Sequence, residues 1–163
     1  MDAAGAAPVW AAALEASALG AFMRGASAAY PIANLGHLLG LTLLVGSVAL
    51  LDLRLLGAGR RLPAHAVSQV LTSTMLCGAG LLVVTGGLLF AADARALIVN
   101  GAFLWKLGLV AAACANAVLF HVLWRGALAD WDETAPRAAR VQAAASIALW
   151  LTVAALGRLI AYV

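Results

Sequence analysis

Four stretches of this chain, at about residues 31–56, 67–92, 102–124 and 141–162, are apolar for roughly 20 residues or more each. At ~1.5 Å of rise per residue, a helix of that length crosses a bilayer core of ~30 Å. Inside hydrocarbon every backbone N–H and C=O must be paired within the protein, and a helix does this by itself. The pattern therefore predicts an all-α integral membrane four-helix bundle. Composition closes the soluble alternative: 65% of the 163 residues are hydrophobic and 10% are charged, against about 25% charged in a soluble domain. The chain reads as a single membrane domain, residues 1–163.

The connecting segments set the boundaries. Residues 8–27 carry Trp10, Leu14, Leu19, Phe22 and Met23 together with Glu15 and Arg24. The stretch is too short and too charged for a span, and predicts an interfacial helix with Trp10 at head-group depth. Asp2 and Glu15 stand where a signal peptide would carry basic residues, so no cleaved leader is expected. Tyr30-Pro31 predicts a break, because the residue before proline is pushed out of helical geometry and proline suits a helix start. Arg54, Arg60, Arg61, Arg125, Arg137 and Arg140 flank the first and third inter-helix loops, while only Arg24 and Arg95 lie in the opposite segments. The positive-inside rule then puts those two loops in the cytoplasm and both termini outside, in a bacterial inner (plasma) membrane. The net charge of +3 reads as this topology signal and as contact with anionic head groups, with no nucleic-acid partner.

Function is to be sought among the ionisable residues in or near the spans, because such groups are expensive in hydrocarbon. His37, Asp52, Lys106, His121 and Arg158 are the candidates. Counting rise per residue, His37 lies roughly 9 Å below the outer face, and Lys106 and Arg158 each roughly 6 Å below it. Three helices thus bring a histidine and two cations to one outer level. His121 and Asp52 belong to a second, inner level, with Arg125 one turn beyond His121 and His65 opening the second span at the same face. Asp52 is expected to pair with an arginine there.

A haem b in a four-helix bundle needs an axial histidine, cations for its propionates and small residues that clear room for the macrocycle. His37, beside Gly36 and Gly40, supplies the primary ligand in this reading. Lys106 and Arg158 hold the propionates, and His121 is a second iron ligand or a proton-handling group. A depth difference of roughly 20 Å makes one haem joining His37 to His121 implausible. Plainer roles stand beside these: a membrane histidine can simply bond a neighbouring helix, and Lys106 and Arg158 can snorkel to the interface. Small residues at Gly36, Gly40, Gly78, Gly80, Gly86 and Gly87 serve ordinary helix packing. Cys77 and Cys114, with Met75 near, offer soft ligands for copper, but buried cysteines are usually small hydrophobes. No phosphate loop, nucleophile–base pair or zinc motif is present.

The first span, HLLGLTLLVGSVALLDLRLLG, and the third, WKLGLVAAACANAVLFH, resemble small bacterial four-helix membrane proteins of the copper-resistance D and HemJ-type protoporphyrinogen oxidase group. The shared features are a histidine heading a span, small residues after it, an arginine near the cytoplasmic end, and a lysine followed by a histidine on one helix. The resemblance covers those two spans and implies a haem-binding or redox membrane protein with His37 and Lys106 in the matching positions. The lysine-to-histidine spacing is longer here than in the oxidases, so protoporphyrinogen oxidation itself is not implied. The leading expectation is a b-haem protein moving electrons between a quinone or redox partner protein and an acceptor. The alternatives are a non-catalytic anchor or accessory subunit of a larger membrane complex, and copper or small-solute transport.

Overall fold

The computed structural model describes the backbone of residues 7–159 and side chains as far as Gly157. The described residues fold as helices alone: α1 (Val9–Ala16), α2 (Ala18–Gly25), α3 (Ala29–Leu56), α4 (Ala64–Ala92), α5 (Ala94–Val99), α6 (Gly101–Trp124), α7 (Trp131–Thr134) and α8 (Arg137–Leu159). Four of them, α3, α4, α6 and α8, are long and apolar enough to cross a membrane. The expected four-helix bundle is therefore present, with small shifts at its ends.

Those shifts have local causes. The N-terminal segment is two helices rather than one, because Ser17 breaks the run and caps α2, its hydroxyl accepting from the Gly20 N–H at 3.3 Å. Gly20 lets this hairpin sit tightly: a Cβ there would meet the Ala91 carbonyl oxygen at 2.7 Å. The expected break at Tyr30-Pro31 falls a few residues earlier, at 26–28. α3 begins at Ala29 and carries Pro31 in its first turn, where a missing N–H has no intrahelical partner to lose. α4 begins at Ala64, directly after Pro63. The connector around Asp93, Arg95 and Asn100 contains α5, and Asn100 caps α6 by accepting from the Phe103 N–H at 3.1 Å.

At the far end of α3, Gly57 takes φ +115°, open to glycine at little steric cost. The Gly57 N–H bonds the Arg54 carbonyl and the Ala58 N–H bonds the Leu53 carbonyl, which is the paired closure of a Schellman end. The Leu55 carbonyl is taken by the Trp131 indole N–H at 3.0 Å. Three of the carbonyls that a helix end leaves orphaned are thus satisfied. Trp131 comes from the loop between α6 and α8, so this one bond ties that loop to the end of α3.

α3 packs along α4, and α8 packs against both α3 and α6. α4 and α6 approach less closely, meeting through side chains such as Phe90 and Phe103, whose rings stack at 5.8 Å. The close helix pairs run in the order α4–α3–α8–α6. The apolar contacts of the bundle form three stacked groups. Leu51, Leu55, Ala64 and Trp131 lie at the loop end, Leu44, Val48, Trp150 and Val153 in the middle, and Met23, Ala33 and Ala92 beneath the N-terminal hairpin. α3 and α4 meet closest at Gly40 and Gly78: a Cβ on Gly78 would lie 2.9 Å from the Gly40 carbonyl oxygen. α6 and α8 are joined by a reciprocal polar clasp. Gln142 donates to the Asn116 carbonyl at 3.1 Å, Asn116 donates to the Gln142 carbonyl at 3.4 Å, and the Trp124 indole donates to Gln142 Oε1 at 2.8 Å. Such bonds hold helices together where lipid supplies no hydrophobic drive.

Candidate functional site

The polar groups inside the bundle fall at two levels. At the level of α1 and α2, half-buried His37 on α3 reaches across to α4. Its Nδ1 lies 3.1 Å from the Thr85 hydroxyl oxygen. The Thr85 hydroxyl spends its only proton on the Leu81 carbonyl at 2.6 Å, so toward His37 it can only accept. His37 therefore donates from Nδ1, and Nε2 is left with a free lone pair. Glycine makes this approach feasible: a Cβ on Gly86 would stand 3.2 Å from the imidazole Cε1, and one on Gly36 would stand 3.0 Å from the Thr85 methyl. Lys106 on α6 acts electrostatically on His37. Its ammonium packs on the α8 backbone, where a Cβ on Gly157 would come within 3.3 Å of Nζ. Four helices thus converge here, as the depth count anticipates for His37 and Lys106. The side chain of Arg158 lies outside the described residues. Thr85 is the partner that the reading of the sequence missed, since a threonine in an apolar run carries no signal of its own.

The second level, toward the α3–α4 and α6–α8 loops, is a cavity of about 380 Å³ reached by all four long helices. It is lined by His121 and Arg125 of α6, Ser68 and Thr72 of α4, Asp52 of α3 and Ser146 and Trp150 of α8. His121 and Asp52 therefore share a level, as expected. The expected pairing of Asp52 with an arginine is wrong. Buried Asp52 lies beside Ser146 of α8, and its Oδ2 has no hydrogen-bond partner. The Trp150 indole N–H is likewise buried and unpartnered. Asp52 faces α8 because it follows Val48 and Leu51 on the packed side of α3, a turn away from the loop arginines.

The arginine that does pair is Arg54. Its buried guanidinium forks onto Asp132 of α7, with Nη1–Oδ1 at 3.1 Å and Nη2–Oδ2 at 2.6 Å, while Nε donates to the Leu62 carbonyl at 2.7 Å. Arg60 stands 3.7 Å from the same carboxylate. These bonds, Arg54 foremost, hold the Asp132 carboxyl below the usual carboxylate range. They lock loop 57–63 to loop 125–136, the two arginine-rich loops, at one end of the bundle. His65 is exposed at the start of α4. Cys77 and Cys114 are free and face outward, and among the described residues no group of three His, Cys, Asp or Glu gathers to hold a metal ion.

A family described as a family of unknown function, DUF6644, matches residues 9–163. The chain belongs to that family. No curated protein and no solved structure matches the chain. In this DUF6644 protein, then, the two levels of polar residues are the available guide to chemistry.

Proposed function

We propose that this DUF6644 protein is a plasma-membrane b-haem protein that carries electrons, with His37 as axial ligand at the outer level. The observation that carries the reading is the His37–Thr85–Leu81 chain of hydrogen bonds. It holds the imidazole in the tautomer a metal needs, with Nδ1 as donor and Nε2 bare. An orienting bond on the second nitrogen is the usual support of a ligating histidine. Gly86 clears bulk beside the ring and Gly36 beside Thr85, and Lys106 brings a cation within electrostatic reach for a propionate, with Arg158 as its expected companion. Haem b, when bound, supplies one-electron transfer. The residues contribute the ligand, its orientation and the counter-charge. His121, at the inner cavity, belongs to proton handling rather than to this haem. Orientation follows the arginine loops, which would face the cytoplasm with both termini outside.

The test is an absorption spectrum of the detergent-purified protein, oxidised and then reduced with dithionite. A Soret band with sharp α and β bands on reduction is expected, lost in His37→Ala. Thr85→Val should keep the band but bind haem ~10–100-fold more weakly. A colourless protein made with ample haem, or unchanged haem in His37→Ala, refutes the reading.

One observation favours a second reading, an accessory subunit of a larger complex. α6 packs on α8, but only Ala113 along it is fully buried, and Trp105, Val118 and Val122 are exposed. Native mass measured in mild detergent should then show another protein bound, and a bare homo-oligomer would dispose of it.

A further inference from the structure

Where the two arginine-rich loops are locked together, positive charge is in surplus. The segments 54–65 and 125–140 carry six arginines against three carboxylates, Asp130, Asp132 and Glu133. Arg54 takes both oxygens of Asp132. Arg60, 3.7 Å from that carboxylate and mostly exposed, holds only a weaker share of it. Arg61 is exposed, and among the described residues it forms no ion pair. Two adjacent guanidinium groups are thus open to an anion from outside the protein, each able to grip a phosphate through paired N–H donors.

The fold fixes where that pair stands. The Leu62 N–H donates to the Gly59 carbonyl at 3.0 Å, closing a β-turn with Arg60 and Arg61 at its two corners. Arg54 Nε clamps the Leu62 carbonyl at 2.7 Å. Gly59 and Leu62, the two ends of the turn, also form part of the wall of a groove of about 550 Å³. The groove runs between the last turns of α3 and the first turns of α4, along Leu50, Leu53, Ala66, Val67 and Val70. It lies on the outside of the bundle, with Leu50 60% and Val70 68% exposed. In a bilayer that face meets acyl chains, and the inter-helix turn stands above it at head-group depth. An acyl chain laid in the groove therefore carries its phosphate up to Arg60 and Arg61. A zwitterionic head group brings a cation along with its phosphate, which two neighbouring arginines oppose. An anionic one brings none.

We infer that the α3–α4 groove and the Arg60–Arg61 turn together form a binding site for one anionic phospholipid. Its acyl chain lies along Leu53 and Val70, and its phosphate sits on the two arginines. The lipid supplies counter-charge that the single carboxylate of Asp132 cannot, at the end of the bundle where the loops meet. The site is separate from His37 and does not depend on the haem reading.

The experiment is native mass spectrometry of the full chain in a mild detergent holding equal amounts of phosphatidylglycerol and phosphatidylcholine with the same acyl chains. One phosphatidylglycerol per chain, retained about 10-fold or more over phosphatidylcholine, is expected. Arg60→Gln and Arg61→Gln should each lower that preference about 5-fold, the worth of one cation beside an anionic surface. Arg137→Gln removes an exposed arginine at the same end that does not line the groove, and should leave the preference unchanged. Ala66→Trp fills the groove from α4 and should remove the retained lipid while helical content persists. Where that variant misfolds, Arg61→Gln still decides, because Arg61 makes no ion pair that folding could lose. Equal retention of the two lipids, an unchanged preference in Arg61→Gln, an equal loss in Arg137→Gln, or displacement of the lipid by inorganic phosphate overturns the proposal. So does a dimer free of lipid, which would give the groove to a second copy. The measurement needs no pigment. A colourless protein that keeps phosphatidylglycerol would sink the haem reading and leave this one standing, and a red protein indifferent to the two lipids would do the reverse.

Discussion

Gly78→Ala tests the closest contact in the bundle. A Cβ on Gly78 would stand 2.7 Å from the Leu44 backbone nitrogen and 2.9 Å from the Gly40 carbonyl oxygen. Ordinary contact begins at 3.4 Å, so the shortfall at Leu44 is 3.4 − 2.7, or about 0.7 Å. Both atoms are α3 backbone, one turn apart, and neither can swing aside as a side chain would. α3 and α4 must separate, and the contacts of Leu44 and Val48 with Ala79 and Leu82 loosen with them. Overpacking of this kind is destabilising by ~1–3 kcal/mol. Alanine also recovers up to ~1 kcal/mol of helix propensity, which would blur a comparison with the parent protein alone. Gly80→Ala is the matched control, since it lies on the same helix with nothing within 4 Å of its Cβ. The difference between the two variants isolates the clash. In a chain of this size ~1–3 kcal/mol corresponds to a melting point lower by roughly 3–10 °C, read by circular dichroism in one mild detergent. If Gly78→Ala melts with or above Gly80→Ala, the close α3–α4 contact is wrong.

Two further outcomes follow from the ends of the bundle. Asp132 is held ionised by Arg54 below its ordinary value of 3.8, so its stabilising effect is complete well above that value and is lost as pH falls through the lowered one. Melting points taken between about pH 2 and pH 6 should fall on the acid side in the parent protein more steeply than in Asp132→Asn, and parallel curves would show that the fork contributes nothing. At the other end, the Glu15 carboxylate accepts from the Arg95 N–H at 3.0 Å, in the first turn of α5. Glu15→Ala should weaken that attachment by ~1 kcal/mol and speed hydrogen exchange in α1, α2 and α5 with α3 and α4 unchanged. Equal exchange in both proteins would count against the anchoring role.

Much of this architecture is readable from residue order, because a bilayer imposes a length and a polarity that one-dimensional sequence records directly. The four long helices, the polar connectors and the outer level of His37 and Lys106 need only the rise per residue and a count from each span's end. Ends are legible where the signal is local: Gly57 stops α3 and Asn100 starts α6 through bonds to residues within a few positions. Partner choice is different. Arg54 pairs with Asp132 across 78 residues, Asp52 turns to Ser146 instead of to an arginine, and Thr85 becomes the partner of His37 across 48 residues. Each depends on helix rotation and on which helices adjoin, and uniformly apolar helices carry almost no moment to announce either. The wider spacing of α4 from α6 is likewise a tertiary fact. Lipid covers an unpaired apolar face as readily as a partner helix does, so only close packing at sites such as Gly40 and Gly78 decides which faces meet.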